Sequence, residues 1–195
     1  MKNILLGLLL IFFIFNTNAQ LRESVIIETD IFTVEYSEIL EQPLRVEYTI
    51  LCPNGNINRS GMGFYKVNNV HTSDDNDYIN NVWDKGHLAP AASFNCNKKL
   101  LAKTFSYLNS ALQHKSLNRG VWSRLEAFER NLANFYTVKV KIEVLFDENS
   151  KIISSGATVP SGFKKTIQWD NKVEVFLFPN ANATGTNWLD YHITK

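Results

Sequence analysis

The chain has 195 residues, 45% of them hydrophobic and 20% charged, with 20 Lys and Arg against 19 Asp and Glu. That is long enough for one domain with a real core, and the balance excludes a disordered or fibrous chain. A formal net charge of +1 decides nothing about nucleic acid as a partner, because a binder needs only a local concentration of basic groups.

Residues 1–19 read as a secretory leader. One lysine precedes an apolar run over 4–15, and Thr17 and Ala19 suit the positions before a cut. The run is short for a membrane span, and no cysteine stands at the cut to carry a lipid. The expectation is an exported domain over 20–195 with no stable membrane association after cleavage. Lys2 is the one charged side chain in the leader, which leaves 19 basic and 19 acidic groups. An oxidising compartment makes Cys52 and Cys96 candidates for a disulfide, with two buried thiols as the alternative. No C-x-x-C or H-x-x-x-H spacing favours a zinc site.

Residues 24–50, rich in β-branched and aromatic side chains, predict two strands joined around 38–43. Residues 52–63 are turn-rich, with Asn54-Gly55 as the strongest turn signal. The acidic stretch 71–81 reads as an exposed loop. A helix is predicted within 117–136, where Trp122, Leu125, Phe128, Leu132 and Phe135 recur three or four apart and form one apolar face. Residues 136–146 and 172–178 predict strands, with 154–169 leading to the second, and the last residues close the domain. The fold class is α+β, a single domain with a strand–loop–strand–helix block at its centre.

That block holds the candidate chemistry. In Asp84-Lys85-Gly86-His87 the glycine allows a tight bend and close approach of another group, and Asp84 is placed to hold the bend through the local backbone. A neutral imidazole at His87 is a natural general base near neutral pH. Downstream stand Asn109, Gln113, Asn118 and Glu126. A single amide oxygen from Asn118 is a poor zinc ligand but a good one for magnesium, which keeps most of its waters and takes few protein ligands. Eight residues further on, Glu126 is roughly 12 Å away if both are helical, so it reaches the metal's waters rather than the metal. His71, His114 and His192 read as structural or surface residues.

Together these segments resemble the DNA/RNA non-specific endonuclease family, with its ββα-metal (His-Me) finger. The resemblance rests on Asp84-Lys85-Gly86-His87, Leu108-Asn109, Leu112-Gln113, Leu117-Asn118, Trp122 and Leu125-Glu126 in order. It is close over about 83–130 and looser elsewhere. It implies an antiparallel sheet core with an embedded ββα finger and an endonuclease of little sequence preference acting on DNA and RNA. The implied cofactor is magnesium, with manganese as a substitute, and the implied products carry 5′-phosphates. His87 becomes the general base and Asn118 the metal ligand, while Glu126 orients water around the metal. Arg59 stabilises charge at phosphorus, Asn109 supports the site by hydrogen bonding, and Lys85, Arg119 and Gln113 contact substrate. Lys85 replaces the family's usual arginine and loses its bidentate fork; Leu112 stands where proline is usual. The alternative is a weak or inactive relative that serves as a nucleic-acid-binding or toxin-like interaction module.

Overall fold

The computed structural model describes residues 21–193; the expected leader lies outside them. Its main sheet has six antiparallel strands in the order β1-β2-β3-β6-β7-β8. The strands are β1 (Val25–Glu28), β2 (Phe32–Ser37), β3 (Gln42–Thr49), β6 (Val138–Leu145), β7 (Gly162–Trp169) and β8 (Lys172–Pro179). The expected strands are present, but residues 24–50 hold three rather than two. The segment leading to β8 is itself a strand, β7. The fold class is α+β, as expected.

Side chains alternate across the sheet, as the twofold period of a strand requires. Val34, Val46, Val140, Ile142, Phe163, Ile167 and Phe178 face the core and are buried. Glu35, Arg45, Glu143 and Lys164 face the other way and form a ladder of ion pairs: Arg45–Glu35 at 3.5 Å and Lys164–Glu143 at 3.0 Å. Adjacent lysines on β7 therefore part company. Lys164 is solvated, whereas Lys165 is fully buried.

Everything between β3 and β6 packs on the covered face. A second, two-stranded sheet pairs β4 (Trp83–His87) with β5 (Ser110–His114), antiparallel, with His87 opposite Ser110. Between them runs α1 (Lys98–Lys103), capped by the Asn97 side chain on the N–H groups of Lys99 and Leu100. The helical segment after β5 is not one continuous helix. It comprises α2 (Lys115–Leu117), a wide turn over Asn118–Trp122, and α3 (Ser123–Leu132), with Gly120 outside helical geometry at φ −104°, ψ −110°. Leu117, Val121, Trp122 and Leu125 join the core, and the Trp122 ring packs edge-on against Phe163 and Phe178. Phe135, expected on the same apolar face, lies beyond the end of α3 and is 81% exposed.

Residues 71–81 are less loop-like than their composition suggests. Asp74 and Asp77 form a capping box around a 3₁₀ turn, and Thr72, Ser73 and Asp77 are buried. Cys52 and Cys96 are bonded, with their Cα atoms 5.5 Å apart. The bridge staples the turn-rich loop to the segment that follows β4. Backbone bonds from Leu51 and Cys52 to Ser93 and from Ile57 to Asn95 reinforce it. Gly55 is needed at this seam, because a Cβ there would sit 2.6 Å from the Cys96 nitrogen. No helix among the described residues is long and apolar enough to cross a membrane.

Candidate active site

The ββα unit of β4, β5 and α3 opens a cleft of about 570 Å³, lined by Arg59, Asp84, Lys85, His87, Asn118, Arg119, Ser123 and Glu126, with 90–92 at its edge. A hollow of similar size, about 520 Å³, lies on the open face of the sheet. Its lining is mostly Thr, Lys and Glu side chains of the open face, with no histidine among them, so the candidate chemistry belongs to the cleft.

His87 ends β4 with its ring between two aromatic side chains. Phe64 and Phe105 each lie 4.9 Å away, centroid to centroid. The imidazole Nε2 is shut from solvent and has no hydrogen-bond partner among the described residues. Desolvation, with the nearby Arg59 charge adding to it, pushes the imidazole down to about 3. His87 is therefore neutral across the physiological range, and its ring is partly exposed at the cleft. Arg59 comes to it on the arm stapled by the disulfide. It is exposed, and the bond between Met62 N–H and Arg59 C=O tightens the turn that carries it.

Asn118 sits where α2 gives way to the wide turn. Its amide nitrogen donates to Asp84 Oδ2 at 2.9 Å, which commits the nitrogen and leaves the oxygen as the candidate ligand atom. Arg119 grips the same carboxylate through Nε at 2.7 Å and a terminal nitrogen at 2.5 Å. Burial alone would push the Asp84 carboxyl up; Arg119 and Asn118 outweigh it and hold it below its ordinary value. Asp84 thus ties two side chains rather than the local backbone, correcting the expectation for it. Glu126 faces the cleft from the first turn of α3. Burial pushes its carboxyl up to about 7, against the opposing pull of Lys165.

The donor set fits a hard divalent cation. One amide oxygen with its nitrogen pinned, and one carboxylate beside it, are the sparse oxygen ligation magnesium takes while it keeps its waters. Among the described residues no three His, Cys, Asp or Glu side chains converge as a zinc site would require.

Four of the expected residues, His87, Arg59, Asn118 and Glu126, meet in this cleft. Two others do not reach it. Asn109 is fully buried: its oxygen accepts from Ala89 N–H at 2.7 Å, and its nitrogen donates to the Ala89 and Thr104 carbonyls at 2.8 and 2.9 Å. It fixes the chain just beyond His87, so it positions the site without touching the reacting groups. Gln113, expected at the substrate, is buried against Gly86, where a Cβ would lie 2.6 Å from the Gln113 Cβ. That contact explains the glycine.

Lys85 lines the cleft, but its ammonium turns away. It pairs with Asp75 and lies 5.4 to 5.6 Å from the centroids of Phe64, Tyr78 and Tyr107. Arg119 also lines the cleft, although its fork is taken by Asp84. The other histidines are structural, as expected: His71 pairs with Glu41, His114 caps α2, and His192 pairs with Glu174. The sequence reading missed the Phe64–Phe105 clamp on His87 and the role of Asp84, since neither lies within hydrogen-bonding reach along the chain.

Mitochondrial endonuclease G from Bos taurus is 35% identical over 85 residues, 42% of this chain and 28% of that protein. A salivary endonuclease from Lutzomyia longipalpis is 31% identical over 113 residues, 52% of this chain and 27% of that protein. The chain thus aligns with under a third of the length of these relatives. The crystal structure of the EndoG/EndoGI complex contains a chain that superposes with a TM-score of 0.77 at 23% identity, over 87% of this chain and 80% of that one; at that identity the likeness is one of fold. The family profile described as DNA/RNA non-specific endonuclease matches residues 12–194, and with that span the chain belongs to the DNA/RNA non-specific endonuclease family.

Proposed function

We propose that the protein is an exported, magnesium-dependent endonuclease that hydrolyses phosphodiester bonds of DNA and RNA with little sequence preference. One observation carries this reading. A neutral, partly exposed His87 shares a cleft with the Glu126 carboxyl, the Arg59 cation and the Asn118 amide, whose nitrogen is held by Asp84. These are the parts that hydrolysis of a phosphodiester needs.

In the proposed reaction His87 takes a proton from water as its oxygen attacks phosphorus. The bond from phosphorus to the 3′-oxygen breaks, the leaving oxygen gains a proton, and the new end carries a 5′-phosphate. Arg59 reaches the phosphoryl oxygens, where negative charge accumulates. Asn118 would hold the magnesium and Glu126 would orient the water around it; the metal would supply charge neutralisation at the phosphate. Asp84 keeps the Asn118 oxygen aimed, and Asn109 keeps the His87 segment in place. Contacts of this kind read the backbone rather than the bases, hence the low sequence preference. Export suits a chain whose Arg59 arm is held by a disulfide.

Incubation with supercoiled plasmid and with RNA tests the reading. Both substrates are degraded in magnesium, EDTA stops the reaction, and added magnesium restores it. Degradation that persists in EDTA, or zinc acting where magnesium does not, contradicts the metal assignment. Binding without cleavage supports the alternative, an inactive interaction module.

A further inference from the structure

Lys165 and Glu129 form an ion pair of 2.8 Å in which both side chains are completely buried. Glu129 is tied at both oxygens: Lys165 Nζ donates to Oε1, and Tyr48 Oη donates to Oε2 at 3.1 Å. The same ammonium stands 4.0 Å over the Trp122 ring. None of these groups lines the cleft, and nothing in the proposed reaction uses them.

Their placement along the helical segment is telling. Trp122 precedes Glu126 by four residues and Glu129 follows it by three. Side chains at those spacings share one helix face. The partners come from the sheet: Tyr48 from β3 and Lys165 from β7, which flank β6. One buried cation therefore holds the turn before Glu126 and the turn after it, and a strand two places away adds a second tether.

Stability does not account for such a group. Removing two charges from water costs several kcal/mol per ion, and apolar replacement of a buried pair is often neutral or stabilising. Hydrogen bonds are directional, and a fully satisfied buried polar network rigidifies a core and specifies one arrangement of it.

We infer that Lys165, Glu129 and Tyr48 are positioning residues that lock the axial position and rotation of α3 against the sheet, and thereby set where Glu126 stands in the cleft. The consequence for cleavage rests on the nuclease reading; the consequence for the helix does not.

The test is a Tyr48→Phe/Glu129→Met/Lys165→Met variant, in which all three polar ends go together and none is left stranded. Tyr48→Phe alone, which cuts one tether, serves as a second variant if the triple one fails to fold. The triple variant keeps a wild-type melting temperature within a few degrees. Its α3 amides over 123–130 exchange hydrogen faster than wild type. Its kcat falls by about 10²-fold, the scale of an ångström-sized misplacement, with KM little changed. Tyr48→Phe shows the same pattern at smaller size. Wild-type exchange across 123–130 overturns the lock, and faster exchange with wild-type kcat overturns its part in setting Glu126. If the wild-type protein fails to cleave nucleic acid, the nuclease reading falls, and the exchange data still decide the lock.

Discussion

The two faces of the six-stranded sheet use the same residue types to opposite ends. On the open face, Lys164 pairs with Glu143 with both side chains partly exposed, one rung of a ladder that includes Arg45 and Glu35. On the covered face, its neighbour Lys165 pairs with Glu129 out of water, under the helix that carries Glu126. An exposed pair is worth about 0–1 kcal/mol and fixes nothing, because water and salt compete for both charges. A buried pair is costly to make and to break, and holds its partners to one geometry. Charge on a strand matters to the site only where the fold has removed the water.

Four variants probe this contrast, beginning with the largest effect. Arg59→Ala removes the cation expected at the phosphoryl oxygens and lowers kcat by about 10²–10³-fold. Lysine restores part of it, since a point charge replaces a planar fork. Steady-state cleavage kinetics measure both, and wild-type turnover for Arg59→Ala makes the residue a loop cation.

Asp84→Asn loosens the hold on Asn118. By analogy with other groups that orient metal ligands, it raises the magnesium needed for half-maximal rate about 10- to 100-fold. A magnesium titration that overlays wild type shows that Asp84 serves only Arg119.

Third is Cys52→Ser/Cys96→Ser. Loss of a bridge closing a sequence separation of 44 residues lowers stability by about 2–4 kcal/mol. Because the bridge holds the Arg59 arm, the pair also lowers kcat in the wild-type background but adds nothing to Arg59→Ala at a temperature where both remain folded. Additive losses would mean that the bridge acts on the whole fold.

The smallest effect belongs to the open face. Lys164→Ala shifts stability by no more than about 0.5 kcal/mol and leaves cleavage unchanged. A large loss there breaks the contrast between the faces.

The pH behaviour follows from His87. Its folded value, about 3, lies below the ordinary value of 6.5. The unfolded chain therefore binds the extra proton first as pH falls. The stability that neutral His87 contributes is complete above about 6.5 and is lost as pH drops toward 3. Thermal melts in EDTA at pH 7 and pH 4 read this directly: His87→Ala narrows the difference between the two. An unchanged difference shows that the imidazole titrates as it would in water.

Most of the cleft was legible because the family's residues recur at fixed spacings through the ββα unit. The misread residues share a physical cause. Gln113 carries the same amide as a ligand-binding side chain, and only burial shows that it packs on Gly86. Lys85 reads as a substrate cation until Asp75 and three rings are brought to it from elsewhere in the chain. In the fold, β7 went unrecognised because Lys164-Lys165 puts a charge where alternation demands an apolar residue, and that exception is the buried lysine. Helix α1 is too short for a periodic signal, leaving Asn97 as its one sequence mark. Phe135 keeps the helical spacing, but α3 has already ended at Leu132. Cys52 and Cys96 form the one bridge two cysteines allow, and the backbone bonds around Ser93 and Asn95 are what bring them together.

In the proposed reaction His87 activates the water, and His87→Ala is the decisive variant. The variant is assayed on plasmid in saturating magnesium, with circular dichroism and a melting curve to establish that it is folded. A general base of this kind contributes about 10²–10⁴ in rate, so the account predicts a folded protein whose cleavage falls by that factor. A folded His87→Ala protein that cleaves at the wild-type rate would contradict it.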